Sequence, residues 1–378
     1  MIRVEKFNPG TYRNQGDYKS FIPTPVNDSW SWQSARINHL LSLASSELGG
    51  LDTYSELIPD IDIYIQMHIQ VEANRSSSIE GTQTTIEEDM TPLEELSVEK
   101  RNDAQEVRNY IKAMNYGVKR ILEDDFPFTS RLMREMHGVL MQGVRGEHKT
   151  PGEFRTSQNF IGGSKPSDAM YVPPAVIDMH DLMSDLDKFI HRDEPMPALV
   201  KIAIIHYQFE TIHPFLDGNG RVGRLLIPMF LLAKDKLKKP CFYISDYFEQ
   251  HRTAYYDALQ NVRIKSDMEG WICFFLQASI ETAKSAKTKF RNALKQVENY
   301  QHYITSKGSY AQTIGTIIRS MYSKPVATVN DLTEITGLSF DTVNRVVKIL
   351  VKDKVLIELT GNRRNRVFFL HEYIAVFH

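Results

Sequence analysis

A chain of 378 residues with 42% hydrophobic and 24% charged side chains has apolar mass for two or three domains, which excludes wholesale disorder. Lys and Arg number 45 against 47 Asp and Glu, a net charge of −2, so any attraction to nucleic acid or to an anionic membrane has to be local. Cys241 and Cys273 lie in apolar stretches without metal-ligand spacing and are expected to be reduced core residues. The opening Met1-Ile2-Arg3-Val4-Glu5 lacks a signal-peptide core, and no run reaches membrane-spanning length, so the expected home is the cytoplasm, with no membrane partner.

In chain order, the segment up to about Leu51 mixes Pro, Asn and Gly around Trp30-Ser31-Trp32 and reads as a partly irregular arm packed on helices. From Tyr54 to about Arg75 the apolar spacing is helical, and Thr85-Ile86-Glu87-Glu88 caps the next helix. Helices dominate from Val98 to about Asn299. They are interrupted by Asn159-Phe160-Ile161-Gly162-Gly163 and Ala169-Met170-Tyr171-Val172-Pro173-Pro174, two short arms that read as a β-hairpin.

Beyond Ser306-Lys307-Gly308-Ser309 the composition changes: from Gly308 to His378 nine Lys and Arg face six Asp and Glu, so this tail is +3 and the remainder −5. Val329 to Ile335 reads as a short helix, Thr336-Gly337-Leu338-Ser339 as a turn, and Phe340 to Asp353 as a second helix. Val355 to Leu359 and Arg366 to Leu370 then flank a basic tip carrying Arg363 and Arg364. Such a pattern describes a winged helix-turn-helix. It leaves DNA, through Ser339, Asp341, Thr342, Asn344 and Arg345, and a protein docking partner as alternatives.

The most chemical stretch is His213-Pro214-Phe215-Leu216-Asp217-Gly218-Asn219-Gly220-Arg221-Val222-Gly223-Arg224. Gly218 and Gly220 allow a tight turn, Asn219 between them tolerates a left-handed backbone, and the amides of such a turn form a nest for an anion. Apolar residues at helical spacing follow, so the nest opens a helix whose positive end faces the ligand, with Pro228 its bend or weak point. A neutral imidazole at His213 accepts a proton at neutral pH, Asp217 with substrate phosphate oxygens suits Mg²⁺, and Arg221 and Arg224 share a helix face from which they can hold a polyphosphate. His206 and His213 lack a third ligand, which argues against zinc.

The stretch resembles the signature of Fic domains, His-x-Phe-x-Asp/Glu-Gly-Asn-Gly-Arg-x-x-Arg, at every specified position. The resemblance implies a mainly α fold with a Fic helical core and a β-hairpin flap at Phe160, Ile161 and Gly162. It implies transfer of AMP from ATP to a Tyr, Thr or Ser hydroxyl of a protein target or of the chain itself, with release of pyrophosphate. By the same likeness His213 is the base and Asp217 the Mg²⁺ ligand. Gly218, Asn219, Gly220, Arg221, Val222, Gly223 and Arg224 bind ATP, Tyr256 lines the adenine pocket, Phe215 holds the loop down, and the chain is a homodimer. A nucleotide-sensing DNA-binding regulator, or transfer of UMP or phosphocholine, stands as the alternative.

Ser76-Ser77-Ser78-Ile79-Glu80-Gly81 resembles the family's inhibitory segment, Ser/Thr-x-x-x-Glu-Gly/Asn, which implies that Glu80 occupies Arg224 and misplaces the γ-phosphate. The same residues fit a local capping box between Ser77 and Glu80 that needs no active site. The expected division is an N-terminal helical region over 1–105 carrying Ser76, Glu80 and Gly81, a Fic catalytic domain over 106–305 and a winged-helix domain over 310–378.

Overall fold

The computed structural model describes residues 1–58, 60–144, 148–361 and 365–377. The N-terminal arm carries four strands, β1 (Ile2–Arg3), β2 (Gly10–Asn14), β3 (Lys19–Pro23) and β4 (Trp30–Ser31). Strands β2 and β3 form an antiparallel hairpin registered from Gly10↔Pro23 to Asn14↔Lys19, and β1 pairs with β4 in parallel. Trp30 and Phe7 meet as tilted rings 5.3 Å apart, and Phe7 meets Tyr207 and Trp30 meets Phe189, which seats the arm on the helices.

Helix α1 (Ala35–Leu57) starts well before Leu51, the limit set for the irregular arm. Ser34 caps it by accepting the Ile37 N–H. A break follows before α2 (Ile61–Ile79), so the helical spacing read from Tyr54 onward belongs to two helices. Ser76, Ser77 and Ser78 form the last turn of α2, and Glu80 is its C-cap. The capping-box reading is therefore overturned: the helix ends where that motif would have begun one. The box expected at Thr85 and Glu88 is present and opens α3 (Ile86–Met90).

The remaining helices are α4 (Val98–Leu122), α5 (Ser130–Leu140), α6 (Val176–His191), α7 (Ala198–Ile212), α8 (Asn219–Ala233), α9 (Ser245–Gln250), α10 (Arg252–Lys265) and α11 (Met268–Thr305). Helices α7 and α8 are apolar on nearly every face because both are enclosed, α7 by α6, α8 and α11 and α8 by α4, α5 and α7. Pro228 sits inside α8 without ending it.

The flap is smaller than a hairpin. Its two arms share one antiparallel bridge, Ile161↔Tyr171, closed by Ile161 N–H to Tyr171 O at 2.8 Å and its reciprocal at 3.1 Å. Gly162 and Gly163, both at positive φ, turn the chain out of pairing beyond that point. Its base is firmer: Phe21 of β3 donates its N–H to Val172 O at 2.9 Å, and the Tyr171 hydroxyl donates to Thr211 O at 2.5 Å.

After α11, the C-terminal unit runs α12 (Ala311–Ser323), β5 (Val326–Thr328), α13 (Val329–Thr336), α14 (Phe340–Lys352), β6 (Leu356–Glu358), β7 (Val367–Leu370) and α15 (His371–Ala375). The antiparallel sheet is ordered β5-β7-β6, and Gly337 at φ 70° makes the turn between α13 and α14. Elements α12, β5 and α15 had no reading in the sequence. Arg363 and Arg364 lie outside the described residues. No helix among the described residues is long and apolar enough to cross a membrane, and Cys241 and Cys273 are buried and free.

Candidate active site

His213 is the C-cap of α7, with a left-handed backbone at φ 52°. A non-glycine residue keeps that conformation only where its surroundings hold it, and here they do so through its carbonyl. His213 O accepts from Arg155 Nε at 3.0 Å and from Asn159 Nδ2 at 3.1 Å. Its ring Nδ1 lies 3.3 Å from Glu210 O. Because a carbonyl only accepts, Nδ1 carries the hydrogen and Nε2 keeps the lone pair. Burial lowers the His213 pKa to about 4, against the opposite pull of the Glu210 carbonyl and of Glu80, so the ring is neutral at pH 7.

From His213 the chain passes through a loop to α8, and Asn219 closes that loop on itself. Its Oδ1 accepts the Phe215 N–H and its Nδ2 donates to Phe215 O, both at 2.8 Å. Asn219 is thus the first helical residue of α8, and the left-handed position is Gly218 at φ 77°. The expectation of a left-handed Asn219 is corrected: the side chain has local work folding the loop, and the bend falls one residue earlier. Gly220 is helical as well, and its missing side chain matters for another reason. A Cβ there would collide with Glu80 Oε1, so the carboxylate lies directly on the first turn of α8.

Phe215 is fully buried, as expected, in contact with the rings of Phe154, Phe209 and His137. His137 had no reading in the sequence. Its Nδ1 accepts the Gly152 N–H at 2.9 Å, which leaves Nε2 to donate to Asp217 O at 3.0 Å. Asp217 Oδ1 accepts the Gly218 N–H at 2.6 Å, and the side chain is 47% exposed. No described group bonds its Oδ2. One exposed carboxylate beside a helix N-terminus fits a cation that draws its other ligands from phosphate and water, and no cluster of three or more His, Cys, Asp or Glu exists among the described residues to hold a metal by protein alone.

Arg221 and Arg224, expected as one polyphosphate-binding pair, are separated by their partners. Arg221 is buried and donates to Glu106 Oε2 at 3.0 Å, with Asp217 Oδ1 at 3.6 Å. Arg224 is 1% exposed and is held at three points: Nε donates to Ser76 Oγ at 2.8 Å, and Nη2 to Ser76 O at 2.8 Å and to Glu80 Oε1 at 2.6 Å. Burial opposes the charge on both partners, but each outweighs it for the other. The Glu80 pKa is held low chiefly by Arg224, with Arg221 and His213 adding, and that of Arg224 is raised. Gly81 follows at φ 108°, a backbone that favours glycine. Tyr256, 43% exposed on α10, stands within the field of both Glu80 and Arg224. Val222 is buried in α8, whereas Gly223 leaves room for the Glu210 carboxyl, with which a Cβ would collide.

Three further groups position the site. Arg155, fully buried, spends its guanidinium on the carbonyls of Ile212, His213, Ser157 and Pro174, which ties the end of α7 to the flap roots. Asn159 donates to both His213 O and Phe215 O. His206 links α8 to α10, with Nδ1 at 3.0 Å from Gly223 O and Nε2 at 2.8 Å from the Tyr255 hydroxyl. Of these, Asn159 was read as part of the flap arm and His206 only as lacking a third zinc ligand, while Arg155 carried no sequence signal.

Residues 38–119 match the Fic/DOC family N-terminal model and residues 127–231 the Fic/DOC family model. A protein adenylyltransferase Fic of Culex quinquefasciatus is 28% identical over 222 residues, 58% of this chain and 40% of the relative, and one of Aedes aegypti matches with the same identity and coverage. The chain thus spans about two fifths of the length of these curated relatives. A Fic family protein of Desulfovibrio desulfuricans G20 superposes with a TM-score of 0.55 at 20% identity, covering 89% of this chain and 96% of that one. Fic-1 (residues 134–508) of C. elegans gives 0.52 at 18%, covering 69% and 73%. Both structures share the helical fold. The chain thus carries a Fic/DOC family N-terminal domain over residues 38–119 and a Fic/DOC family domain over residues 127–231.

Proposed function

We propose that this chain is a protein adenylyltransferase that moves AMP from ATP to a hydroxyl of a protein, itself included, and that Glu80 holds it inactive. The observation that carries the reading is a single carboxylate, Glu80, lying at once on Arg224 and on the first turn of α8, with its charge felt by a neutral His213. An anion already occupies the place where this site would receive a phosphate.

In the open enzyme the chain's residues divide the work. The α8 amides after Gly218 cradle phosphate oxygens, and Arg224, released by Glu80, takes the terminal phosphate. Tyr256 offers its exposed ring to the base. His213 Nε2 removes the proton as the hydroxyl oxygen attacks the α-phosphorus. The bond from that phosphorus to the bridging oxygen breaks, and pyrophosphate leaves with its charge met by the arginines. Asp217 is the residue that would hold Mg²⁺, which when bound neutralises charge on the phosphates. The exposed arm around Phe160, Ile161 and Gly162 offers backbone to an extended target segment.

Incubation with α-labelled and γ-labelled ATP tests this. Label kept on protein from the α position alone, gained in Glu80→Gly and lost in His213→Ala, supports the reading; label from the γ position overturns it.

A second reading concerns the C-terminal unit. Its helix-strand-helix-helix-strand-strand order, with Ser339, Phe340, Asp341 and Arg345 exposed at the start of α14, supports a winged helix able to meet DNA. Binding to genomic fragments that weakens steeply with salt would support DNA as the partner, and binding indifferent to salt would turn the assignment to protein. The division into 1–105, 106–305 and 310–378, a cytoplasmic site of action and a homodimeric state belong to the same proposal.

A further inference from the structure

The inhibitory segment is bracketed by two helices, and the C-terminal unit packs on the first and faces the second across a cleft. On its N-terminal side is α2. His68 of α2 meets Phe377 edge-on at 5.3 Å, and Phe377 is fully buried. Tyr64, one turn earlier, is also buried and lies in the electrostatic range of Tyr322 and Tyr373, and α12 packs along the same helix. On the C-terminal side of the segment are α3 and the turn after it. There Leu359, Thr360 and Phe369 of the β6–β7 hairpin form one wall of a cleft of about 460 Å³, whose other wall includes Glu87, Glu88 and Glu95. A second cleft, of about 340 Å³, is lined by Lys324 and Val326 on one side and by Gln70 of α2 and Met90 of α3 on the other.

The bracket is stiff. Asn74 of α2 donates to Thr84 O at 2.8 Å and to Asp89 Oδ2 at 2.7 Å, so the chain from Glu80 to Asp89 is stapled back onto the helix that precedes it. Arg108 of α4 binds the carbonyls of Asp89 and Thr91. From His68 to Glu80 the helix advances about 18 Å at 1.5 Å per residue. A rotation or shift of α2 at its docked end is therefore carried to Ser76 and Glu80, whose grip on Arg224 depends on hydrogen-bond geometry that fails within an ångström.

We infer that the C-terminal unit controls the nucleotide site by setting the position of α2 and α3, so that its docking keeps Glu80 on Arg224 and its displacement frees Arg224 for a phosphate. The inference rests on the reading of Glu80 as the brake and extends it: the signal that opens the enzyme arrives at residues 311–377, on the far end of the helix that bears the brake.

The test uses the full chain, a non-hydrolysable ATP analogue and α-labelled ATP. Phe377→Ala removes the ring that sits on His68. Leu359→Glu, at an exposed position, brings another carboxylate to a cleft already lined by Glu87, Glu88 and Glu95, and serves if Phe377→Ala does not fold. Either variant is expected to tighten analogue binding and raise labelling several-fold to about a hundredfold, the usual range of coupling between sites. In a Glu80→Gly background neither is expected to add more, because the brake is already gone. Hydrogen exchange over 311–377 reports whether the docking has loosened. Faster exchange there with unchanged analogue affinity, or an equal gain with and without Glu80, overturns the coupling. Failure of Glu80→Gly itself to bind the analogue or take label overturns the adenylyltransferase reading instead.

Discussion

His137 lies flat on Phe215, ring centroids 3.8 Å apart and planes 10° apart, while its two nitrogens hold Gly152 N–H and Asp217 O. One imidazole thus fixes the aromatic residue of the motif and the carbonyl of its acidic residue together. Burial lowers its pKa to about 4, so it does this as a neutral ring.

His137→Ala should therefore cost on the order of 2–4 kcal/mol, from lost stacking and two orphaned polar groups. It should also weaken ATP binding in a Glu80→Gly background, since the loop bearing Asp217 and Gly218 loses its support. Urea unfolding and analogue titration check the two effects. A fall in stability with analogue affinity intact would confine His137 to folding.

Arg155→Ala strands the carbonyl of Pro174, leaves that of His213 on Asn159 alone, and should cost about 2–3 kcal/mol. Arg155→Lys should recover only part, because one ammonium cannot reach acceptors spread around a planar fork. Thermal unfolding of the two variants ranks them. Full recovery in Arg155→Lys would show that the charge at the end of α7 matters and the fork does not.

Glu210 gives a prediction with pH. Burial raises its pKa to about 8, against the pull of Arg224, and its Oε1 has no hydrogen-bond partner. In the unfolded chain it ionises near 4.5. A group with a raised folded pKa favours the fold fully below the unfolded value and loses that advantage as pH rises through the folded one. Glu210→Gln should thus match the wild type near pH 4 and exceed it by roughly 1–3 kcal/mol at pH 8. Urea midpoints across that range decide. A gap that stays constant with pH would mean that Glu210 is ionised in the fold.

For His213 the folded pKa is depressed, so the base is competent above about pH 4 and its protonation should not limit transfer between pH 6 and 8. Glu80 raises that pKa, and Glu80→Gln should therefore move the acid limb of the labelling rate to lower pH. Rates from about pH 3 to 8 in the wild type and the Gln variant measure it. A limb near 6.5 would place the ring in water.

The motif from His213 to Arg224 was legible because its chemistry is sequential: a base, a turn and an arginine one helical turn further on all fall within twelve positions. The Glu80–Arg224 contact was legible for a related reason, since each residue lies in a stretch with a signature of its own. Asn219 was misread because a turn residue between two glycines looks left-handed, and nothing local reveals that its amide closes on Phe215. His137 and Arg155 were silent because their partners are main-chain atoms 58 to 80 residues away, and a carbonyl carries no side-chain signal. The flap was overread as a hairpin, since alternating residues do not reveal that Gly162 and Gly163 turn out of register after one bridge.

Glu80 caps the C-terminal end of α2, the end of a helix dipole that repels a carboxylate. Its native seat is therefore uncomfortable without the guanidinium opposite, and the ion pair works against a standing electrostatic spring. If Glu80 is the proposed brake, then once a phosphate or a small tilt draws Arg224 off, little invites the carboxylate back, and the catch is expected to stay released while nucleotide remains.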